Sequence, residues 1–240
     1  MKLDSEIEEM LFAKGADIIR FIDISNLPLS QTQGYARAIL FCMALSKDFI
    51  IAICAGENRE QEFVDKEHET DALADWLAEY LRGQGYRSYS QSEKSHSKNG
   101  NYDEKTRASR LPHKTIARLA GIGYIGKNNL LINEKYGCAL SMCTVLTDAP
   151  LATEKRPLVL SLCGDCDICK HVCSENAILG NEWSEDRGRA GVFDVFKCTC
   201  ALKCMVNCPQ TLKYALSKVS VLGPAPSQPV TDDARLLEQV

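Results

Sequence analysis

The stretches CGDCDICKHVC, residues 163–173, and CTCALKCMVNCP, residues 198–209, carry eight of the twelve cysteines of this 240-residue chain. The first stretch has the spacing CxxCxxCxxxC, with which bacterial ferredoxins hold [4Fe–4S] clusters. In that arrangement three neighbouring thiolates bind one cluster, and the fourth, one helical turn further on, binds a second cluster. The spacing therefore predicts two clusters, which together need eight thiolates.

The second stretch has the irregular spacing CxCxxxCxxxCP. Its four cysteines nevertheless bring the number of thiolates to the eight that two clusters need. One cluster is predicted to take three cysteines of the first stretch and the last cysteine of the second: Cys163, Cys166, Cys169 and Cys208. The other cluster takes the remaining four: Cys173, Cys198, Cys200 and Cys204. The CxC pair and Ser174, which stands where a ferredoxin carries proline, depart from the ferredoxin pattern. These departures concern which cysteines bind the second cluster more than whether that cluster is present.

Three other interpretations of the cysteines remain open. A closed zinc site needs four ligands in two pairs, and the third cysteine of CxxCxxC is surplus to it. Disulfides need an oxidising compartment, whereas the N-terminus MKLDSEIEEM has neither a basic start nor an apolar segment of the secretory type. Four cysteines stand singly in apolar stretches, and we interpret them as buried structural thiols without chemistry. They are Cys42, Cys54, Cys138 and Cys143.

Length and composition suggest one main domain with a smaller satellite. The chain is 45% hydrophobic, enough to bury a core. We expect an α/β (α+β) layered domain over residues 1–157, a ferredoxin-like module over residues 158–215 and a tail over residues 216–240. The net charge of −4 gives no sequence-wide attraction to nucleic acid or anionic lipid. No apolar run reaches the length of a membrane span, so we expect a cytoplasmic protein without a membrane partner.

The hydrophobic pattern predicts alternating helices and strands in the first domain. Amphipathic periodicity indicates a helix over residues 65–82, and a polar stretch over residues 90–105 is typical of a mobile loop with His96 facing solvent. Further helices are expected over residues 4–15 and from Pro112, and strands over residues 16–24, 36–45 and 49–54 and after residue 137.

A second informative segment, AGIGYIGKNNLLIN, covers residues 120–133. Its glycines permit a tight turn or close approach of the backbone to a ligand. The spacing GxGxxG is present, but it follows a predicted helix, whereas a dinucleotide-binding fingerprint follows a strand. Lys127 and Asn128 are candidates for contacting a polar or anionic group, and a solvated turn is the alternative.

These motifs resemble those of a known family. AGIGYIGKNNLLIN, the following CALSMCTVLTD and the CGDCDICKHVC motif are similar to the core of the epoxyqueuosine reductases, iron–sulfur enzymes related to reductive dehalogenases. The resemblance covers about residues 110–210. It implies a cobalamin-binding α/β domain, a module with two [4Fe–4S] clusters and electron transfer from the clusters to the corrinoid cobalt. It also implies that one segment lines the corrinoid pocket, with Gly123, Tyr124, Gly126, Lys127 and Asn128 as its candidate residues.

The chain departs from this family in ways that weigh against tRNA as its substrate. Ungapped alignment places Arg107 where the family carries an acidic residue that supplies a proton, so we assign no catalytic residue. The chain resembles a short form of the family, and its net charge is acidic, whereas a tRNA-binding protein gains most of its affinity from basic contacts to phosphates.

Two functional hypotheses follow. The first is a redox enzyme in which two clusters feed a corrinoid or a substrate held by the N-terminal domain. The alternative is an electron-transfer protein that reduces a partner and has no corrinoid or tRNA activity. In both cases we expect a ferredoxin or flavodoxin type of protein as the electron donor.

Overall fold

The computed structural model describes residues 2–217, so most of the tail predicted over residues 216–240 lies outside the described residues. The helices are α1 (Leu3–Ala13), α2 (Leu29–Thr32), α3 (Lys47–Cys54), α4 (Glu60–Gly83), α5 (Glu93–Asn99), α6 (His113–Leu119), α7 (Ile168–His171), α8 (Lys203–Val206) and α9 (Pro209–Leu216). The strands are β1 (Ile18–Asp23), β2 (Arg37–Ala44), β3 (Ser88–Ser90), β4 (Tyr102–Asp103), β5 (Ala108–Ser109), β6 (Tyr124–Ile125), β7 (Leu131–Ile132) and β8 (Leu140–Thr147). No helix in this part of the chain combines the length and the apolarity needed to cross a membrane.

The main sheet has four strands in the order β1-β2-β8-β3, and every pairing in it is antiparallel. Two short hairpins, β4-β5 and β6-β7, lie outside it. The predicted mixture of helices and strands is confirmed, and the antiparallel pairing makes the sheet domain α+β in character.

The sheet is the middle layer of three. Because side chains alternate along a strand, Ile39 and Phe41 of β2 face one side, and Ala38 and Leu40 face the other. The first side packs against α1 and the apolar stripe of α4. The second side packs against α6 and the segment that contains the β6-β7 hairpin.

A third apolar cluster joins the sheet domain to the cysteine-rich region. It combines Phe49 and Ile50 of α3, the β6-β7 hairpin, and residues of α8 and α9. Cys138 and Cys208 belong to this cluster as well, and both are buried. The position of the last cysteine is therefore set by packing against the sheet domain.

Three expectations about local structure are wrong. Residues 49–54 form helix α3 instead of a strand, because Ser46 caps the helix by accepting a hydrogen bond from Phe49 N (3.0 Å). Part of the stretch 90–105 is helix α5, which buries His96 against Tyr89 and His113 instead of exposing it. Cys54 is exposed at the end of α3, while Cys42, Cys138 and Cys143 are buried as expected.

Candidate functional site

Four cysteines from both stretches line one cavity together with Lys127, Asn128, Ile132 and Pro209. They are Cys163, Cys166, Cys169 and Cys208. The first three come from a turn, in which Cys166 N donates to Cys163 O (2.9 Å), and from the short helix α7. Cys208 arrives from a distance of 39 residues because it immediately precedes α9, which packs on the sheet domain. The structure thus brings together the four side chains that the spacing assigns to one cluster.

The surroundings of Cys208 favour the thiolate form. A hydrogen bond from the Cys138 thiol is the main reason that the pKa of Cys208 falls to about 6, and it acts against burial, which raises the pKa. The backbone amides of Gln210 and Thr211, in the first turn of α9, and the Thr211 hydroxyl lower it further. The same hydrogen bond and burial raise the pKa of Cys138.

The surroundings of Cys169 favour its neutral thiol form. Burial, followed by the neighbouring Cys163 and Cys208, raises the pKa of Cys169 to about 11. Thiolates are the form that binds metal, so loading such a site releases protons and neutralises the crowded negative charge. A set of four thiols around one cavity fits the ligand requirement of a [4Fe–4S] cluster.

A buried cation lies beside this cavity. Only 7% of the Lys127 side chain is exposed, and its Nζ lies 3.2 Å from Oδ1 of Asp167, which precedes α7. The partner carboxylate is 42% exposed, so the ammonium is the more buried member of the pair. A buried positive charge next to a group of thiolates offsets part of their mutual repulsion.

The glycines of the AGIGYIGK segment serve the packing of the β6-β7 hairpin. A Cβ atom on Gly123 would overlap the carbonyl oxygen of Ile132, and one on Gly126 would lie 2.9 Å from Asn128 Oδ1. Tyr124 is buried in the apolar cluster below the hairpin. The tight hairpin delivers Lys127 and Asn128 to the cysteine cavity. Burial, followed by the nearby Cys163, raises the pKa of Tyr124, so its hydroxyl lies close to the same cysteines.

The remaining cysteines form a second group next to the first. Burial, followed by the sulfurs of Cys198, Cys169 and Cys173, raises the pKa of Cys204 to about 12. Cys200 N donates to Cys198 Sγ (3.3 Å), in a turn where Cys200 has a positive φ of 57°. Cys198 and Cys200 therefore form one local pair, in which Cys200 is the more exposed.

Within residues 2–217, no three His, Cys, Asp or Glu side chains converge as they would around a single metal ion. The ligands of one zinc ion share that ion at about 2.3 Å, so their sulfurs lie close together. The four thiolates of a [4Fe–4S] cluster bind four separate iron atoms around a cube, so they surround a wider space. Four cysteines line the first cavity, which is the number of thiolates that a [4Fe–4S] cluster takes.

Arginines connect the loop before α6 to the segment that precedes the second cysteine stretch. Arg189 donates to the carbonyl oxygens of Thr106 and Arg107, the latter at 2.6 Å. Arg107 donates to Val195 O (3.2 Å) and stacks its guanidinium 5.3 Å from the ring centre of Phe196. Arg107, at the position where the resemblance implies an acidic residue, is thus held against the cysteine-rich region.

The sequence reasoning missed a pair of histidines, of which His96 is buried and His113 is partly buried. His113 Nδ1 lies 3.0 Å from Thr144 Oγ1, and its ring centre lies 6.2 Å from that of His96. Burial and the nearby His96 lower the pKa of His113 to about 4. Both rings are therefore neutral at pH 7, and nothing in the local sequence signals that they meet.

Comparison with known structures identifies proteins that share this fold. No family model matches the chain. A crystal structure of epoxyqueuosine reductase with a modified tRNA-Tyr stem loop aligns with a TM-score of 0.53 at 15% identity, over 88% of this chain and 65% of that one. A catabolic reductive dehalogenase aligns with a TM-score of 0.58 at 18% identity, over 84% of this chain and 31% of that one. The fold is shared with both kinds of enzyme.

Curated sequences identify the nearer resemblance. The chain is 37% identical over 71 residues to the epoxyqueuosine reductase of Staphylococcus aureus, covering 30% of this chain and 18% of the relative. It is 36% identical over 67 residues to the epoxyqueuosine reductase of Pseudomonas aeruginosa, and that match covers 28% of this chain and 18% of the relative. The predicted resemblance to epoxyqueuosine reductases is confirmed, and the matches span less than a quarter of these relatives.

Proposed function

We propose that this chain is an iron–sulfur redox protein in which two [4Fe–4S] clusters deliver electrons to a corrinoid or a substrate held by the N-terminal domain. The observation that carries this proposal is the cavity in which Cys208 meets the three cysteines of the CxxCxxC motif. Similarity to enzymes named as reductases and dehalogenases supports a redox role. The domain division proposed is residues 1–157 for the sheet domain and 158–215 for the cluster module.

The two proposed ligand sets are those of the sequence: Cys163, Cys166, Cys169 and Cys208 for the first cluster, and Cys173, Cys198, Cys200 and Cys204 for the second. Such clusters supply one-electron transfer at a low potential that depends on hydrogen bonds and solvent exposure. The protein contributes the thiolates, the buried Lys127 ammonium and the apolar walls formed by Ile132 and Pro209. The adjacency of Cys169 to Cys204 supports electron transfer between the two sets.

The corrinoid part of the proposal rests on fold similarity. One structural relative is a reductive dehalogenase with a described mechanism of B12-dependent dehalogenation, and it aligns with a TM-score of 0.55 over 77% of this chain. The sheet domain of this chain would then bind the corrinoid. Gly123, Tyr124 and Gly126 shape the hairpin, whereas Lys127 and Asn128 adjoin the cysteine cavity, so we propose that the last two act on the first cluster.

Iron binding is the first test. After anaerobic reconstitution, the wild-type chain should bind about eight irons, since two cubes hold four each. Cys169→Ala and Cys204→Ala should each lose about half of the iron, and the control Cys42→Ala, a buried thiol on the sheet, should lose none. Full iron in both ligand variants would contradict the assignment.

Corrinoid binding is the second test. Titration of the reconstituted protein with cob(II)alamin, followed by electron paramagnetic resonance, should give a saturable change to a base-off signal. An unchanged spectrum would leave the second candidate function, a two-cluster electron-transfer protein that reduces a partner. The observation that favours this candidate is Arg107, an arginine tied to Val195 and Phe196 where the resemblance implies a proton donor.

A further inference from the structure

A ninth cysteine lies against the proposed ligands of the first cluster. Cys138 comes from the segment between β7 and β8, far in sequence from both cysteine stretches, and is only 4% exposed. Its backbone N donates to Thr211 Oγ1 (2.9 Å) in the first turn of α9. This contact holds the Cys138 side chain beside Cys208, the residue that precedes the same helix.

The Cys138 sulfur has polar partners on two sides. Asn128 Nδ2 lies 3.4 Å from Cys138 Sγ and also 3.3 Å from the carbonyl oxygen of Cys204. Asn128 is thus oriented as a donor toward the Cys138 sulfur. Because that sulfur accepts from Asn128, its own S–H is free to be donated to its other neighbour, Cys208.

This environment differs from that of an ordinary buried thiol. Cys42 is fully buried among apolar side chains of the sheet, including Leu40 and Leu146. Cys138, by contrast, combines a hydrogen-bond donor, Asn128, with a proposed cluster ligand, Cys208. The cavity already has four cysteines, so Cys138 is not needed as a ligand itself.

We infer that the Cys138 thiol donates a hydrogen bond to the Cys208 sulfur and thereby raises the reduction potential of the first cluster. A hydrogen bond to a ligand sulfur stabilises the reduced cluster more, because that state carries one more negative charge. Cys138 is thus a positioning residue that acts through Cys208. The inference rests on the proposed function, because it needs a cluster in the cavity.

The test compares four variants in anaerobic redox titrations monitored by electron paramagnetic resonance. Cys138→Ala and Cys138→Val remove the donor, and valine also keeps the volume. Cys138→Ser retains a donor, and Cys42→Ala is the matched control for losing a buried thiol. Iron content and thermal midpoint are measured on each sample.

At the wild-type midpoint, Cys138→Ala and Cys138→Val should lower the ratio of reduced to oxidised first cluster about tenfold, which is 59 mV for one electron. Cys138→Ser should stay within about threefold of wild type, and Cys42→Ala should not change the ratio. Unchanged potentials in both apolar variants at full iron content would overturn the inference and leave the proposed function intact. If the wild-type chain took up no iron, the proposed function itself would fail.

If neither apolar variant retained iron, the wild-type protein would decide the question. An exchangeable proton coupled to the reduced cluster should appear in electron–nuclear double resonance spectra in H2O and vanish in D2O. Its absence from the wild-type spectrum would overturn the inference.

Discussion

Replacing Gly137 with alanine should open the cavity that contains the four cysteines. Gly137 has a φ of +58°, and a Cβ atom there would lie 2.5 Å from Thr211 Cα and 2.6 Å from the carbonyl carbon of Gln210. Both are backbone atoms in the first turn of α9, so rotating a side chain cannot relieve the overlap. The helix has to move, and Cys208 moves with it.

The magnitude follows from two costs. A left-handed alanine costs about 1–2 kcal/mol. Overpacking against fixed backbone adds about 1–3 kcal/mol, so the total loss of unfolding free energy is about 2–5 kcal/mol. Gly100 supplies the matched control, because its φ is +62° and a Cβ atom there would have no neighbour within 4 Å. Gly100→Ala should therefore lower the unfolding free energy only by the cost of the left-handed alanine, about 1–2 kcal/mol.

Urea unfolding followed by circular dichroism measures both variants. With a slope of about 3 kcal/mol/M, the midpoint of Gly137→Ala should lie about 0.3–1 M below that of Gly100→Ala. Gly137→Ala should also bind less iron than Gly100→Ala after reconstitution. Equal midpoints and equal iron contents in the two variants would refute the reasoning, since the packing of Gly137 on α9 would then not matter.

Three further perturbations test other contacts. Lys127→Met should lower the potential of the first cluster in a redox titration, because a buried positive charge that favours the reduced state is removed. His113 has a folded pKa of about 4 and an unfolded pKa of about 6.5, so unfolding takes up a proton and stability falls as pH drops between these values. The contribution of His113 to the loss from pH 7 to pH 5 is about 2 kcal/mol in urea unfolding, and His113→Gln should remove that contribution. Arg189→Ala should raise hydrogen exchange over residues 104–110, because two carbonyl contacts of that loop are lost.

Each of these predictions has its own control. Lys127→Arg keeps the charge and should leave the potential near wild type; an equal shift in both lysine variants would rule out the charge as the cause. His68 is an exposed residue on α4, so the His68→Gln variant should lose the same unfolding free energy between pH 7 and pH 5 as the wild type. Arg59→Ala, which removes only a surface ion pair, should not change exchange over residues 104–110. Equal exchange in the Arg189 and Arg59 variants would show that the carbonyl contacts do not restrain the loop.

Strongly patterned segments were predictable from the sequence. The periodic stripe of residues 65–82 and the strands over residues 16–24 and 36–45 all formed, because amphipathic periodicity and apolar runs are local properties. The run FIIAIC over residues 49–54 was not predictable, since a short apolar segment suits a strand or a helix equally. The helix is the form observed because Ser46 caps it and because it packs against α8 and α9.

The sequence by itself determined the local grouping of the cysteines, because the spacing of CGDCDICKHVC restricts how three cysteines can gather in a turn and a short helix. Only the tertiary structure decided what surrounds those thiols. Lys127, Asn128 and Cys138 reach the cavity because the β6-β7 hairpin and α9 pack on a shared apolar cluster. The contact between Cys138 and Cys208 spans 70 residues of chain, and no local pattern encodes a contact at that separation.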